Sequence, residues 1–343
     1  MRVSLLGDDG DDGDDGATAR VRLQGESLVA RLTFGVRVQV AAAYVNSTSV
    51  SSTVRSRLSS SSGTAALSTA RLVRDCACGY GIALTEPGSG SDAGGLRTAA
   101  KPVPGGWVLN GEKTAISFAM NATVALVYAR EAGTTRASGV SCFVVPLDSD
   151  GVSVSHMMGM GCLPLGWGSI HFDNVFVPHS HLIGEEGHGF RTVMNHFDFS
   201  RAALGLLCLG AAKQSLEEAA VYAQQRETFG RPIAENQGIS FQLAEHATYI
   251  EGARWTCYRA LWLRETGQPH TALASMSKWW APVVAKNAIE SSMRIHGNLG
   301  YSTEFPIQQR FRDVMAYLSA DGTSEIQKHV IARDIFARGT VSL

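Results

Sequence analysis

The residues best placed to do chemistry lie in Tyr317-Leu-Ser-Ala-Asp-Gly-Thr-Ser-Glu-Ile-Gln-Lys-His-Val-Ile-Ala-Arg-Asp-Ile-Phe336. Ile326, Val330, Ile331 and Ile335 share one face at helical spacing, and Ser324 with Gln327 fits a capping box, so the pattern predicts a helix beginning at Ser324. Asp321 and Gly322 then fall in the loop just ahead of that helix. Glycine admits backbone angles closed to other residues and lets a ligand approach closely. A carboxylate held in such a loop can take a proton from a bound carbon acid. Asp-Gly is also a common turn pair, so this stretch alone leaves a plain turn open.

A second candidate is Ile82-Ala-Leu-Thr-Glu-Pro-Gly-Ser-Gly-Ser-Asp-Ala-Gly94, a short strand running into a Gly- and Ser-rich loop. Its backbone N–H groups and small hydroxyls suit a phosphate or a polar cofactor ring, and equally suit an ordinary turn. Metal chemistry has no comparable signal. The ten histidines form no ligand pattern, the six cysteines are scattered, and Cys76-Ala-Cys78 is too short for a zinc knuckle. The cysteines read as reduced thiols of a cytoplasmic protein. A net charge of -1 gives no general reason to expect nucleic acid or a membrane surface as partner. No apolar run approaches the roughly 20 residues of a membrane span, and the N-terminus fits neither a secretory signal nor a transit peptide.

The elements that must position these loops divide the chain in three. Residues 1–78 read as a divergent segment. It holds an acidic Asp-Asp-Gly run suited to a solvated tail, a stretch with strand-like alternation between Val21 and Val45, and a Ser/Thr-rich linker from Ser47 to Thr69. From 79 to 184 the texture is that of a small antiparallel β domain. The turns Pro104-Gly-Gly106 and Asn110-Gly111 flank Trp107-Val-Leu109, and strand-like runs follow at Thr123–Ala129, Gly139–Pro146, Gly151–Met157 and Ser169–Pro178. From 185 to 343 the period is helical, predicting a bundle of four main helices and a short one. The fold class is therefore α+β. The Trp279-Trp280 pair belongs to core or interface.

Eight motifs now stand in order: Leu84-Thr-Glu-Pro-Gly-Ser-Gly-Ser-Asp92, Asn110-Gly-Glu-Lys113, Phe172-Asp-Asn-Val-Phe-Val-Pro178, Phe197-Asp-Phe-Ser-Arg201, Arg226-Glu-Thr-Phe-Gly-Arg-Pro232, His296-Gly-Asn-Leu-Gly-Tyr301, Arg312-Asp313 and Asp321-Gly-Thr323. Over residues 79–338 the chain resembles the acyl-CoA dehydrogenase family. The resemblance implies a middle β domain followed by a C-terminal four-helix domain, FAD as cofactor, an acyl-CoA substrate, electron-transfer flavoprotein as electron acceptor, and a homo-oligomer, tetramer or dimer.

It also implies roles by position. Asp321 is the base that removes the thioester α-proton, while the β-hydrogen leaves as hydride to the flavin. The N–H of Asp321 is a donor to the thioester carbonyl, and Gly322 lies on the substrate side. Leu84, Thr85, Gly90, Ser91 and Ser117 line the flavin. Arg226, Phe229 and Gln237 reach the FAD of a neighbouring subunit, Arg226 as a bidentate cation suited to a diphosphate. Thr323 and Glu325 match the adenine-diphosphate end. Ser91, Asp198 and Arg201 match contacts to CoA, although Asp198 and Arg201, three apart on a helix, could instead pair with each other.

Three departures stand out. Most members whose base lies in this loop carry Glu-Gly-Thr. Aspartate is one methylene shorter, and a misplacement of roughly 1 Å can slow a reaction about a hundredfold unless the substrate comes closer. The Asp-Gly-Thr loop and the Phe197–Arg201 segment resemble the subgroup acting on cyclohexane- and cyclohexene-carbonyl-CoA. Ala115 stands where many members carry an aromatic residue, which bears on stacking beside the flavin. Finally, the N-terminal helical domain of the family looks lost or replaced in residues 1–78. Two readings follow: an FAD-dependent dehydrogenase of an alicyclic or short or branched acyl-CoA, or a truncated FAD/CoA-binding remnant acting as an oligomeric scaffold. A flavin monooxygenase on the same scaffold fits less well, because such relatives generally lack a carboxylate at the base position.

Overall fold

The computed structural model describes residues 80–341. The acidic run, the strand-like stretch, the Ser/Thr linker and Cys76-Ala-Cys78 lie outside the described residues. Eight strands form one sheet: β1 Tyr80–Ala83, β2 Ala99–Val103, β3 Gly106–Ile116, β4 Val124–Glu131, β5 Val140–Pro146, β6 Val152–His156, β7 Gly168–Pro178 and β8 Leu182–Ile183. The order is β6-β7-β3-β2-β4-β5-β8, with β1 also paired to β4. Most pairs are antiparallel as expected, but the sheet is mixed: β1 and β2 both run parallel to β4. Parallel pairing here joins strands well separated in the chain, which the turn signals between sequence neighbours do not report.

Helices follow: α1 Gly189–Gln225, α2 Gln237–Glu265, α3 Thr271–Ile295, α4 Asn298–Tyr301, α5 Ile307–Ala316 and α6 Ser324–Arg338. A small hairpin of β9 Glu227–Thr228 and β10 Arg231–Pro232 separates α1 from α2. Alternating residues of the sheet, including Trp107, Leu109, Phe143, Ile170 and Phe172, form one core. Cys208, Leu216, Ile250, Cys257, Val284, Ile289 and Ile307 form the helical core, with half-buried Trp280 packed on it.

Two joints fix the layers to each other. Val193 at the start of α1 shares a cluster with Leu84, Leu96, Tyr128, Val140 and Cys142 of the β layer. Further along, Asp313 of α5 accepts from the Cys162 N–H at 2.6 Å, and Arg312 donates to the Met160 carbonyl at 2.9 Å. A Cβ on Gly161 would stand 2.4 Å from the Arg312 carbonyl, so only glycine allows that approach.

Within the sheet the Gly/Ser loop hangs on one buried ion pair. Lys113, 0% exposed, donates to Glu86 at 2.8 Å and to the Leu84 carbonyl at 3.1 Å. Glu86 also accepts from the N–H groups of Arg97 and Thr98 and from the Thr98 hydroxyl. Burial alone would raise the Glu86 carboxyl, but Lys113 and Thr98 together hold it below its ordinary value. Burial pushes Lys113 down to about 8 against the pull of Glu86. Removing one member of such a pair strands the other charge. We expect Lys113→Met to lower the unfolding free energy by about 3–5 kcal/mol, read by urea denaturation.

Candidate active site

Asp321 sits where α6 begins, and the local sequence explains its posture. Thr323 caps α6, its hydroxyl accepting from the Ile326 N–H at 3.4 Å. The helix starts at Ser324 as expected, but the capping residue is one position earlier than the Ser324–Gln327 pattern suggests. The reason is that Gln327 has another task. It is the one fully buried side chain of α6, whereas the apolar face read from Ile326, Val330, Ile331 and Ile335 is half-buried. Gln327 turns inward and donates to the carbonyls of Asp321 at 3.1 Å and Gly322 at 3.2 Å. Asp321 takes the left-handed region at φ 54 and Gly322 follows at φ 91. A Cβ at Gly322 would meet the Gln327 amide nitrogen at 2.6 Å.

Four side chains face this loop from the helices. The Ser200 hydroxyl of α1 donates to the Asp321 carboxylate at 2.7 Å. The same oxygen lies 3.2 Å from the Phe197 carbonyl. A hydroxyl has one proton and two lone pairs, so Ser200 can donate to an ionised Asp321 or turn to Phe197 and accept from a protonated one. Lys278 of α3 is 0% exposed and donates to the carbonyls of Tyr317 at 2.7 Å and Gly322 at 3.2 Å. Burial pushes Lys278 down to about 8; Asp321 and Cys208 pull it up and Arg201 pushes it further down. His196 is held below its ordinary value by burial, with the Asp321 charge opposing and Arg264 adding to it.

Arg201 forms an ion pair with Asp198 at 3.1 Å, and both are buried. Asp198 also accepts from the Thr271 hydroxyl at 2.6 Å. The geometry thus realises the alternative in which these two residues satisfy each other. The Arg201 Nε nonetheless has no partner among the described residues, and Arg201 feels the Asp321 charge.

The Gly/Ser loop lies on the β layer. Leu84 is buried, Thr85 half-buried, and Gly90, Ser91 and Ser117 are exposed. β1 brings Thr85 to β3, its carbonyl accepting from the Thr114 N–H at 2.9 Å. A Cβ on Gly81 of β1 would stand 3.3 Å from the Ser117 carbonyl, so β1 runs beside the end of β3 from Thr114 to Ser117. The space at Gly88 and Gly90 is open. Exposed Ala115, at φ 56, adjoins Ser117.

Arg226, Phe229 and Gln237 do not join this group. Arg226 is the C-cap of α1, 26 positions beyond Ser200 and therefore about 39 Å along the helix. All three are exposed, and Phe229 at the hairpin turn is 104% exposed. Glu325 projects from the first turn of α6, its carboxyl held low by backbone hydrogen bonding and by the Thr323 hydroxyl.

The sequence did not single out Ser200, His196 or Lys278, and it marked Gln327 only as a capping partner. Lys278 had a legible signal: it lies at i+4 from Ala274 and three before Ala281, on an otherwise small and apolar stripe. Among the described residues no group of three or more His, Cys, Asp or Glu could hold a metal ion, and no helix is long and apolar enough to cross a membrane.

Together, a mixed sheet, a helical layer and an aspartate poised in a helix-entry loop define a class of protein that comparison identifies. Residues 81–175 match the acyl-CoA dehydrogenase middle domain and residues 187–336 the acyl-CoA dehydrogenase C-terminal domain. The chain belongs to the acyl-CoA dehydrogenase family. It is 38% identical over 253 residues to an acyl-CoA dehydrogenase of Bacillus subtilis, covering 74% of this chain and 67% of that protein. It is 36% identical over 255 residues to the caffeyl-CoA reductase-Etf complex subunit CarC of Acetobacterium woodii, covering 73% of this chain and 66% of CarC. The chain thus spans about two thirds of these relatives. The structure of PigA with FAD and proline aligns with a TM-score of 0.77 at 27% identity, over 91% of this chain and 79% of PigA.

Gln327 offers a direct check on the loop. Gln327→Leu leaves the Asp321 carbonyl without its donor, and we expect a loss of about 1–3 kcal/mol in stability, measured by denaturant unfolding.

Proposed function

We propose that this chain is an FAD-dependent acyl-CoA dehydrogenase in which Asp321 removes the α-proton of an acyl-CoA thioester. The observation that carries this reading is the Ser200–Asp321 contact at 2.7 Å, in a loop whose Tyr317, Asp321 and Gly322 carbonyls are held by Lys278 and Gln327. Ser200 orients the carboxylate towards its acceptor role and can reverse its own hydrogen bond once Asp321 has taken the proton. The Asp321 backbone N–H makes no hydrogen bond to another described residue, leaving it free to donate to the thioester carbonyl as charge develops there. The Asp321 charge in turn raises Lys278, Arg201 and His196 against the effect of their burial.

The open Gly88–Gly90 loop, half-buried Thr85 and the exposed Ser117 hydroxyl fit FAD. When bound, FAD supplies the acceptor for the β-hydride. Leu84, Thr85, Gly90, Ser91 and Ser117 would hold its ring, and Thr323 with Glu325 its far end. Arg226, Phe229 and Gln237 lie too far along α1 and its hairpin to serve the same chain's site. A ring of exposed Phe229 and a free Arg226 guanidinium suit the cofactor of a second copy, which supports a homo-oligomer. Asp198, Arg201, Ser91 and Gly322 are assigned to the CoA side, Arg201 through its unpartnered Nε. In this reading residues 79–184 carry the flavin ring and 185–343 the base. The Asp-Gly-Thr loop favours a substrate whose α-carbon sits close to the loop, such as an alicyclic acyl-CoA, with a short or branched chain next. An electron-transfer flavoprotein fits as oxidant, as the name of CarC's complex indicates for that relative.

The test is anaerobic. Purified chain is scanned for oxidised flavin, then mixed with cyclohexanecarbonyl-CoA or butyryl-CoA. We expect bleaching, with Asp321→Asn slowing it by about 10²–10⁴-fold, the range of general-base contributions. Folded protein that carries no flavin would sink the proposal. Ser200→Ala should slow bleaching by about tenfold, the loss of one hydrogen bond to a charged group, with flavin content unchanged. Arg226→Ala should lower retained flavin on gel filtration and leave the Asp321 loop intact.

A further inference from the structure

We propose that Lys278 is the positioning residue of the base loop: its buried ammonium ties the carbonyls of Tyr317 and Gly322, on either side of Asp321, to helix α3 and so fixes where the Asp321 carboxylate points. The inference rests on the reading of Asp321 as the base.

Lys278 is 0% exposed, and no carboxylate lies within ion-pair distance of it among the described residues. Burying an ammonium against carbonyls alone is costly, and a methionine would fill the same space without that cost. What the ammonium adds is two directed bonds, 2.7 Å to Tyr317 and 3.2 Å to Gly322. These acceptors mark the two ends of the segment that carries Asp321. Gln327 bonds to the Asp321 carbonyl and shares the Gly322 carbonyl, so the loop is held from inside by two fully buried side chains.

Such restraint matters because Asp321 occupies left-handed backbone, which a non-glycine residue keeps only when its surroundings over-determine it. It also sets the other side of the loop. In a trans peptide the N–H points opposite to the C=O. Drawing the Asp321 and Gly322 carbonyls inward therefore turns the N–H groups of Gly322 and Thr323 outward. The loop thereby presents these donors on the side away from Lys278 and Gln327.

The experiment compares wild type with Lys278→Met, which keeps length and removes the charge, and Lys278→Gln, which keeps one donor. The first readout is hydrogen–deuterium exchange of the bonded amides of Tyr317, Leu318, Ser319 and Ala320, with the sheet as internal control. The second is flavin bleaching by acyl-CoA, resolved into kcat and KM. A third is the long-wavelength absorbance formed with a 3-thiaacyl-CoA, which loses its acidified α-proton but has no β-hydrogen to give. For Lys278→Met we expect loop exchange at least tenfold faster with sheet exchange unchanged. We also expect kcat down about a hundredfold at similar KM, and a weakened 3-thiaacyl-CoA band. Lys278→Gln should fall between, and it carries the test if Lys278→Met does not fold. Loop exchange and kcat both within twofold of wild type would overturn the proposal. If instead Asp321→Asn bleaches like wild type, the base assignment fails, and loop exchange still decides whether Lys278 holds the loop.

Discussion

A buried ammonium can stay charged only where its protons meet acceptors, and this protein places two such groups where its loops must not move. Lys113 and Lys278 are both 0% exposed. Lys113 holds the Gly/Ser loop through Glu86 and the Leu84 carbonyl, and Lys278 holds the base loop through Tyr317 and Gly322. Loops tied only at the surface would give way to water. Inside, where water does not compete, each bond acts at close to its full electrostatic strength, and losing a partner is correspondingly expensive.

The two lysines differ in how their charge is met. Lys113 has a carboxylate 2.8 Å away, so the pair is nearly self-contained. Lys278 has carbonyls in contact and the Asp321 charge further off, with Arg201 opposing. The Asp321 carboxylate is thus the charge that most offsets the burial of Lys278.

The layers are brought to register by short joints. Gly161 lets α5 close on the β layer, and the start of α1 packs on Tyr128, Val140 and Cys142. The same helix then carries Ser200 to Asp321 and, about 39 Å further on, presents Arg226 at the hairpin. One long helix thereby carries two groups of residues about 39 Å apart, which supports the second copy that we propose.

Much of this was legible beforehand. Strand-like runs located β4 to β7 to within a residue or two and helical period located the helices, but the turn expected at Asn110-Gly111 is instead a bulge inside the continuous β3, because Asn-Gly fits either and only pairing with β7 decides. The Asp321-Gly322 loop, its helix and the Gly/Ser loop also followed from residue type, since glycine and caps act within a few positions. What the sequence did not disclose were contacts across the chain. Ser200 meets Asp321 over a separation of 121 residues and Lys278 meets Gly322 over 44. Parallel pairing of β1 and β2 with β4, and the inward turn of Gln327, are of the same kind. By itself the sequence determined which segments form elements and that an Asp-Gly pair stands in the loop ahead of the last helix. Only the tertiary structure decided what Asp321 touches, because the side chains that meet there come from separate helices whose packing no local period encodes.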